Sequence, residues 1–127
     1  MIAALLLQAA VPTVPMPPAD WSTLPVLPLP RAALLMDGST FVRAEVDSGR
    51  CPVHPPQPDG ARVIAPIAVL IGPAGAVARI VPRAIGCVTI EQYTVGYVQS
   101  LLRAAPQLGK TPTPTPGWYR VTVSYRW

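Results

Sequence analysis

The prolines of this chain decide where regular secondary structure can form. Eighteen of the 127 residues are proline, and most of them fall in three clusters, at residues 12–30, 52–58 and 106–116. Proline has no N–H to donate to a strand ladder, and within a helix its ring clashes with the preceding turn. The clusters therefore delimit the ordered segments, and a chain of this length has room for one small core.

The clearest strand signal is the strict alternation of the last ten residues, 118–127. One face would carry Tyr119, Val121, Val123, Tyr125 and Trp127, and the other Trp118, Arg120, Thr122, Ser124 and Arg126. This pattern predicts a half-buried strand. A terminal strand with an unpaired edge can capture an extended peptide by strand addition. The candidate partner-binding residues are therefore Tyr119, Arg120, Val121, Thr122, Val123, Ser124, Tyr125 and Arg126.

Two β-hairpins are predicted before this strand. Asp37-Gly38 separates the apolar residues 32–36 from the β-rich residues 39–46, which predicts an additional hairpin of two short strands. Gly72-Pro73-Ala74-Gly75 separates residues 62–71 from residues 76–82, which predicts a second hairpin around a glycine-dependent turn.

A helix over residues 90–104 is predicted between the second hairpin and the last strand. Thr89 and Gln92 have the spacing of a capping box, and an apolar stripe at helical period follows them. Pro106 prevents the helix from continuing. The predicted fold is therefore α+β, a small antiparallel sheet built from hairpins with one packed helix. Its order is β-β-α-β in residues 62–127, preceded by the additional hairpin.

The N-terminal residues resemble an export signal. Residues 1–10 are an apolar run that ends in small residues, so we expect a signal peptide with cleavage near Ala10. Pro12 and the prolines after it interrupt the run well before a membrane-spanning length, so no transmembrane span is expected. Residues 11–31 are predicted to be a Pro-rich extended segment, and residues 32–127 a single domain.

The chain has two cysteines, Cys51 and Cys87. In an exported protein a disulfide between them is the default expectation, and it would close a loop of about 36 residues. Two alternatives stay open at this stage, namely unpaired core thiols and a metal site that adds His54. Because no second cluster of ligands follows, no metal is predicted.

Composition argues against several classes of function. The net charge is +4, but the chain has no nucleic-acid motif and no run of cations interleaved with aromatic residues. His54 is the only histidine and lies among prolines, with no catalytic Ser-His-Asp order or phosphate-binding glycine loop in the sequence. We therefore do not expect an enzyme, a cofactor or a nucleic-acid ligand. The expected partner is another protein.

The order of elements over residues 62–127 resembles the C-terminal domain of TonB-family energy transducers. Residues 67–81 are similar to the family's valine-rich hairpin, with Gly75 in the turn. Arg103 and Pro106 stand where the family's helix ends, and residues 121–125 are similar to its closing strand. The resemblance covers about half of the chain.

This resemblance implies a periplasmic interaction module, a short stand-alone exported relative of the family. Its edge strand, residues 119–126, would pair with an extended peptide of an outer-membrane receptor. The disulfide would join the additional hairpin, through Cys51, to the start of the helix at Cys87. The alternative is a self-associating structural envelope protein, in which the same strand pairs with its copy in a homodimer and there is no transport role.

Overall fold

The order of elements predicted for the second half of the chain is confirmed. The computed structural model describes residues 15–52, 57–58, 60–104 and 114–127. The elements are α1 (Arg31–Leu34), β1 (Leu35–Asp37), α2 (Thr40–Asp47), β2 (Ala61–Ile71), β3 (Val77–Pro82), α3 (Val88–Arg103) and β4 (Gly117–Arg126). From β2 onward the order is β-β-α-β, and the fold is α+β with a sheet and one long packed helix. No helix in these ranges combines the length and hydropathy needed to cross a membrane.

The four strands form one sheet in the order β1-β4-β2-β3. β2 pairs antiparallel with both β3 and β4, with Ile67 opposite Val121 in the central register. β1 pairs with β4 in parallel, so the sheet is mixed, whereas the sequence had predicted an antiparallel sheet. The difference arises because β1 reaches β4 across most of the chain, and a hairpin with its sequence neighbour would have been antiparallel.

The main core lies between one face of the sheet and α3. β2 buries its alternate residues on this face, including Val63, Ala65, Ile67 and Val69. α3 contributes buried positions one helical turn apart: Ile90, Thr94 and Val98. This spacing is that of a helix laid on a sheet with one apolar stripe, which is the pattern that predicted the helix.

The hairpin of β2 and β3 is confirmed at the predicted turn. Gly72 N–H donates to the Ala76 carbonyl at 2.8 Å and closes the loop. Gly75 has a φ of 79°, in the region where a side chain would be strained. The glycine at this position therefore fixes the turn, and the turn fixes the register of the two strands.

The prediction of an additional N-terminal hairpin is wrong. Only its first arm contains a strand, the three residues of β1, and the second arm is helix α2. Ser39 caps this helix, because its Oγ accepts from Val42 N–H at 3.3 Å. Val42 and Val46 lie one turn apart and face the core. The β-branched residues of this segment suggested a strand, but the cap and the helical spacing of its valines prevail.

The predicted capping box at Thr89 is also wrong in detail, although the helix is confirmed. The N-cap position is Cys87, which makes no side-chain capping bond. Glu91 supplies the cap from within the first turn, where its Oε2 accepts from the N–H groups of Ile85 and Cys87, each at 3.2 Å. The Thr89 hydroxyl instead donates to Glu45 on α2 at 2.7 Å. The threonine thus ties two helices together.

The Pro-rich segment contributes to the folded core. Trp21 and Leu24, each 8% exposed, form a second cluster with Ala68 on the face of the sheet opposite α3. Leu27 is 2% exposed and belongs to the main core. Hydrophobic side chains between the prolines therefore cover the second face of the sheet, and the packed unit begins before residue 32.

Candidate functional site

The strand proposed to bind a partner has the predicted alternation. Tyr119, Val121, Val123 and Tyr125 are buried in the core on the α3 side. On the other face Thr122 is exposed, and Arg120 is half-buried. The apolar residues of the candidate set therefore hold the sheet to the helix, and only the polar face and the backbone edge can meet a partner.

The backbone edge of β4 is covered by the chain itself, so β4 is not an edge strand. Arg120 N–H donates to the Pro25 carbonyl at 2.9 Å, and Leu27 N–H donates to the Arg120 carbonyl at 3.0 Å. Further along, β1 pairs with residues 124–126, and Gly38 N–H donates to the Arg126 carbonyl at 2.8 Å. We call residues 25–38 the covering segment. A partner strand reaches this edge only after the covering segment has left it.

An ion pair closes the end of the covering segment. Arg126 Nε lies 2.7 Å from Asp37 Oδ1, and Arg126 Nη2 lies 3.0 Å from Asp37 Oδ2. This is a two-point contact between a guanidinium and a carboxylate, the stronger geometry for such a pair. The Asp37 side chain is 71% exposed, so solvent screens much of the attraction. The pair fixes the register of β1 more than it stabilises the fold.

The opposite edge of the sheet is β3, and its pairing shows where its backbone groups point. Arg83 N–H donates to the Pro66 carbonyl at 3.0 Å. Bonded and non-bonded positions alternate in an antiparallel pair. Ile80, which lies opposite Val69, therefore directs its N–H and C=O away from β2. Pro82 takes the next outward position, where its missing N–H costs no ladder bond.

The regular part of this edge is short. The register shifts between Leu70 and Ile71, so that Leu70 lies opposite Arg79 while Ile71 lies opposite Val77. Ala78 is thus the extra residue of a β-bulge, which bends the strand at one end of the edge. With the bulge on one side and Pro82 on the other, Ile80 offers the outward pair of backbone groups between them.

A groove of about 520 Å³ lies along this edge, between β3 and the C-terminal half of α3. Its apolar lining includes Ile80, Val95 and Leu102, and its polar lining is Arg79, Gln99 and Arg103. The volume falls in the range of natural ligand sites. An exposed strand edge next to a helix-walled groove is an arrangement that can hold an extended peptide, because the edge supplies backbone bonds and the groove receives alternate side chains.

The two cysteines form a disulfide and hold the helices together at the other end of α3. Cys51 and Cys87 are bonded, and their Cα atoms are 5.1 Å apart. Glu45 lies near both sulfur atoms, but bonded sulfurs are not thiolates and cannot act as metal ligands. His54, the third residue of the metal alternative, lies outside the described residues, as does the predicted signal peptide. The bonded cysteines decide between the three alternatives in favour of the disulfide.

Two tyrosines of the core have perturbed acidities. Burial raises the pKa of Tyr125 to about 12, against the opposing effect of its hydrogen bond with Thr94. The Tyr125 hydroxyl and Thr94 Oγ1 are 2.7 Å apart, and Thr94 also reaches the Ile90 carbonyl at 2.8 Å. Burial also raises the pKa of Tyr97, whose hydroxyl donates to the Ala33 carbonyl. These shifts reflect structural burial, since both hydroxyls already have partners within the fold.

Similarity to known proteins adds nothing to this geometry. No known protein family, curated protein or solved structure matches the chain. The resemblance to the TonB C-terminal domain therefore rests on the sequence residues described above.

Sequence reasoning placed the candidate site on β4 and missed the groove beside β3. It predicted a strand over residues 76–82, which include Arg79, and it identified Arg103 at the end of the helix. It had no means of bringing these two residues to one groove, because they lie on different elements and their proximity depends on how α3 crosses the sheet. The available signal was Pro82 at the end of a strand, which is typical of an edge.

Proposed function

We propose that this domain is a protein-interaction module that binds an extended segment of a partner protein by strand addition at β3. The observation that carries the proposal is the outward backbone of Ile80 beside the groove walled by α3. Strand addition needs a backbone edge that no other strand occupies and pockets for alternate side chains. Among the described residues no strand pairs with the outer side of β3, and the groove lies beside it. The edge of β4 is not free in this state, because the covering segment occupies it.

We base the identity proposed for the partner on the sequence resemblance. A periplasmic peptide of an outer-membrane receptor is the partner that the resemblance implies. The Cys51–Cys87 disulfide supports an oxidising compartment such as the periplasm, where disulfides persist. In this proposal the partner adds at β3, and addition at the predicted residues 119–126 requires release of the covering segment.

The test is a selection from a phage-displayed library of random linear peptides, followed by amide mapping. Selected peptides are titrated into the isotope-labelled domain, and exchange of the backbone amides is followed by NMR. We expect the Ile80 amide to become protected, while the amides of β4 do not change. Selected peptides that protect residues 119–126 instead would move the site to β4, and a selection that yields no binding peptide would refute the proposed function.

A matched pair of variants separates backbone bonding from side-chain packing. Ile80→Pro removes the outward N–H and replaces the branched side chain by a ring, whereas Ile80→Ala truncates the side chain at Cβ and keeps the N–H. Both variants lose packing against the core, so circular dichroism must first show that each is folded. We expect Ile80→Pro to weaken peptide binding well beyond Ile80→Ala. Equal losses would show that the peptide does not pair with this edge.

Self-association is the competing function, and the same amide distinguishes it. If β3 pairs with a second copy, protection of Ile80 increases with protein concentration in the absence of any peptide. The mass in light scattering then increases over the same concentration range. A monomer at high concentration with an exchanging Ile80 amide excludes pairing of copies through β3.

A further inference from the structure

Two arginines and no acidic residue line the groove beside β3. Arg79 belongs to the strand and Arg103 to the last turn of α3. Ion pairs in the described part of the chain join Arg43 to Asp47, Arg50 to Glu45 and Arg126 to Asp37. None of them includes an arginine of the groove. The charge of the groove is therefore not neutralised by the described residues.

The two arginines stand on opposite sides of the path that an added strand would take. Leu70, the partner of Arg79 in β2, faces away from α3, and so does Arg79. The Arg79 guanidinium donates to the Pro15 carbonyl, which uses one of its five N–H donors. Arg103 lies on the α3 side with the apolar lining residues Val95 and Leu102. An added strand meets apolar side chains and one cation on one side, and the second cation on the other.

The geometry of a β-strand predicts which side chains of a bound peptide would face α3 and which would face Arg79. Successive side chains of a strand point to opposite faces, at about 3.3 Å per residue. A residue pointing toward α3 enters between Val95 and Leu102, and its immediate neighbours point toward Arg79. The ladder at Ile80 is short, so side-chain contacts must supply most of the affinity. An apolar residue with an acidic neighbour satisfies both sides of the groove.

We infer that the partner of this groove is an acidic extended peptide, with an aliphatic or aromatic residue facing α3 and an Asp or Glu next to it facing Arg79. This inference rests on the proposed strand addition at β3 and specifies its ligand. A second copy of this chain is a poor occupant, because pairing two β3 strands brings two Arg79 and two Arg103 side chains into one interface. Like charges placed together in this way oppose association.

The experiment repeats the peptide selection with domain variants of altered charge and sequences the selected pools. The test variant is Arg79→Gln/Arg103→Gln. The control is Arg43→Gln/Arg50→Gln, which removes the same net charge from α2 and its C-terminal loop, where both side chains are well exposed. We expect Asp and Glu to be enriched beside an apolar residue in the pools of the wild type and the control. The enrichment is lost with the test variant.

Affinities of single peptides complete the test. For a peptide selected by the wild type, replacing its Glu by Gln should weaken binding about two- to fivefold at low salt, the size expected for partly exposed ion pairs. The same replacement should not change binding to the test variant. Peptides that protect the Ile80 amide without acidic enrichment or salt dependence would overturn the inference and leave the proposed function standing. A library that yields no binding peptide would overturn both.

Discussion

Removal of the Cys51–Cys87 disulfide should destabilise the domain by about 4 kcal/mol. The bond closes a loop with a sequence separation of 36 residues, between the end of α2 and the start of α3. In the chain-entropy description, a cross-link of this span lowers the entropy of the unfolded chain by about 13 cal/mol/K, which corresponds to about 4 kcal/mol at 25 °C. Small domains have total stabilities of about 5–15 kcal/mol, so the loss is a large fraction of the whole.

The assay is urea unfolding of the oxidised protein and of Cys51→Ala/Cys87→Ala, followed by circular dichroism. The variant should unfold at a lower urea concentration with a larger m-value, because its unfolded chain is no longer compacted by the cross-link. Wild type reduced with a phosphine is the matched control, since it keeps both buried sulfur atoms. A reduced protein that loses less than about 1 kcal/mol would refute the reasoning from loop closure.

Three further predictions concern the packing of the sheet. Tyr125→Phe removes the hydroxyl whose pKa burial raises to about 12. Because the folded pKa exceeds the unfolded one, wild type should lose stability as the pH increases from 10 to 12. In urea unfolding at matched pH the variant should lose less, since of the two tyrosines with a raised pKa only Tyr97 still contributes to the slope, and equal slopes would contradict the prediction. Asp37→Asn weakens the ion pair with Arg126, so it should lower the global free energy of unfolding by at most about 1 kcal/mol. Hydrogen exchange of the β1 amides should nevertheless accelerate. Unchanged exchange in β1 would show that the pair does not hold the strand. Trp21→Ala should cost about 3 kcal/mol in thermal unfolding by circular dichroism, because it empties the cluster on Ala68; a loss below about 0.5 kcal/mol would show that the segment is not docked.

Local periodicity predicted the elements whose stability is decided by one face. β4 alternates, α3 has buried residues one turn apart, and the β2–β3 turn needs its glycine, so each was identified from its own residues. α2 was misassigned because its β-branched residues suit a strand, and the Ser39 cap that reverses the choice is a single hydrogen bond. Whether such a segment forms a helix or a strand depends on its tertiary packing.

Contacts between residues far apart in the chain explain why the sequence did not predict that the edge of β4 is covered. The residues that cover β4 include Asp37, which is separated from Arg126 by 89 positions. A three-residue strand such as β1 has no periodicity to read, and its parallel pairing is decided by where α1 and α2 carry the chain. The sequence therefore predicted that β4 is a good strand, but had no information on which strand in the sheet keeps an open edge.

The two edges of the sheet differ in how much of their backbone the chain covers, and this difference bears on the kind of ligand that could bind. β4 would offer up to ten residues of edge, and the chain covers it with its own backbone at Arg120 and at residues 124–126. No strand of the described residues pairs with the outer side of β3, and a bulge and Pro82 restrict its regular edge to the region of Ile80. Short, bent edges of this kind prevent uncontrolled pairing of sheets between copies. A partner that binds such an edge gains little from backbone bonds, so its recognition depends on the side chains that enter the groove and on the charges of Arg79 and Arg103. This is why substitutions at these two arginines should affect the choice of peptide more than substitutions anywhere on β4.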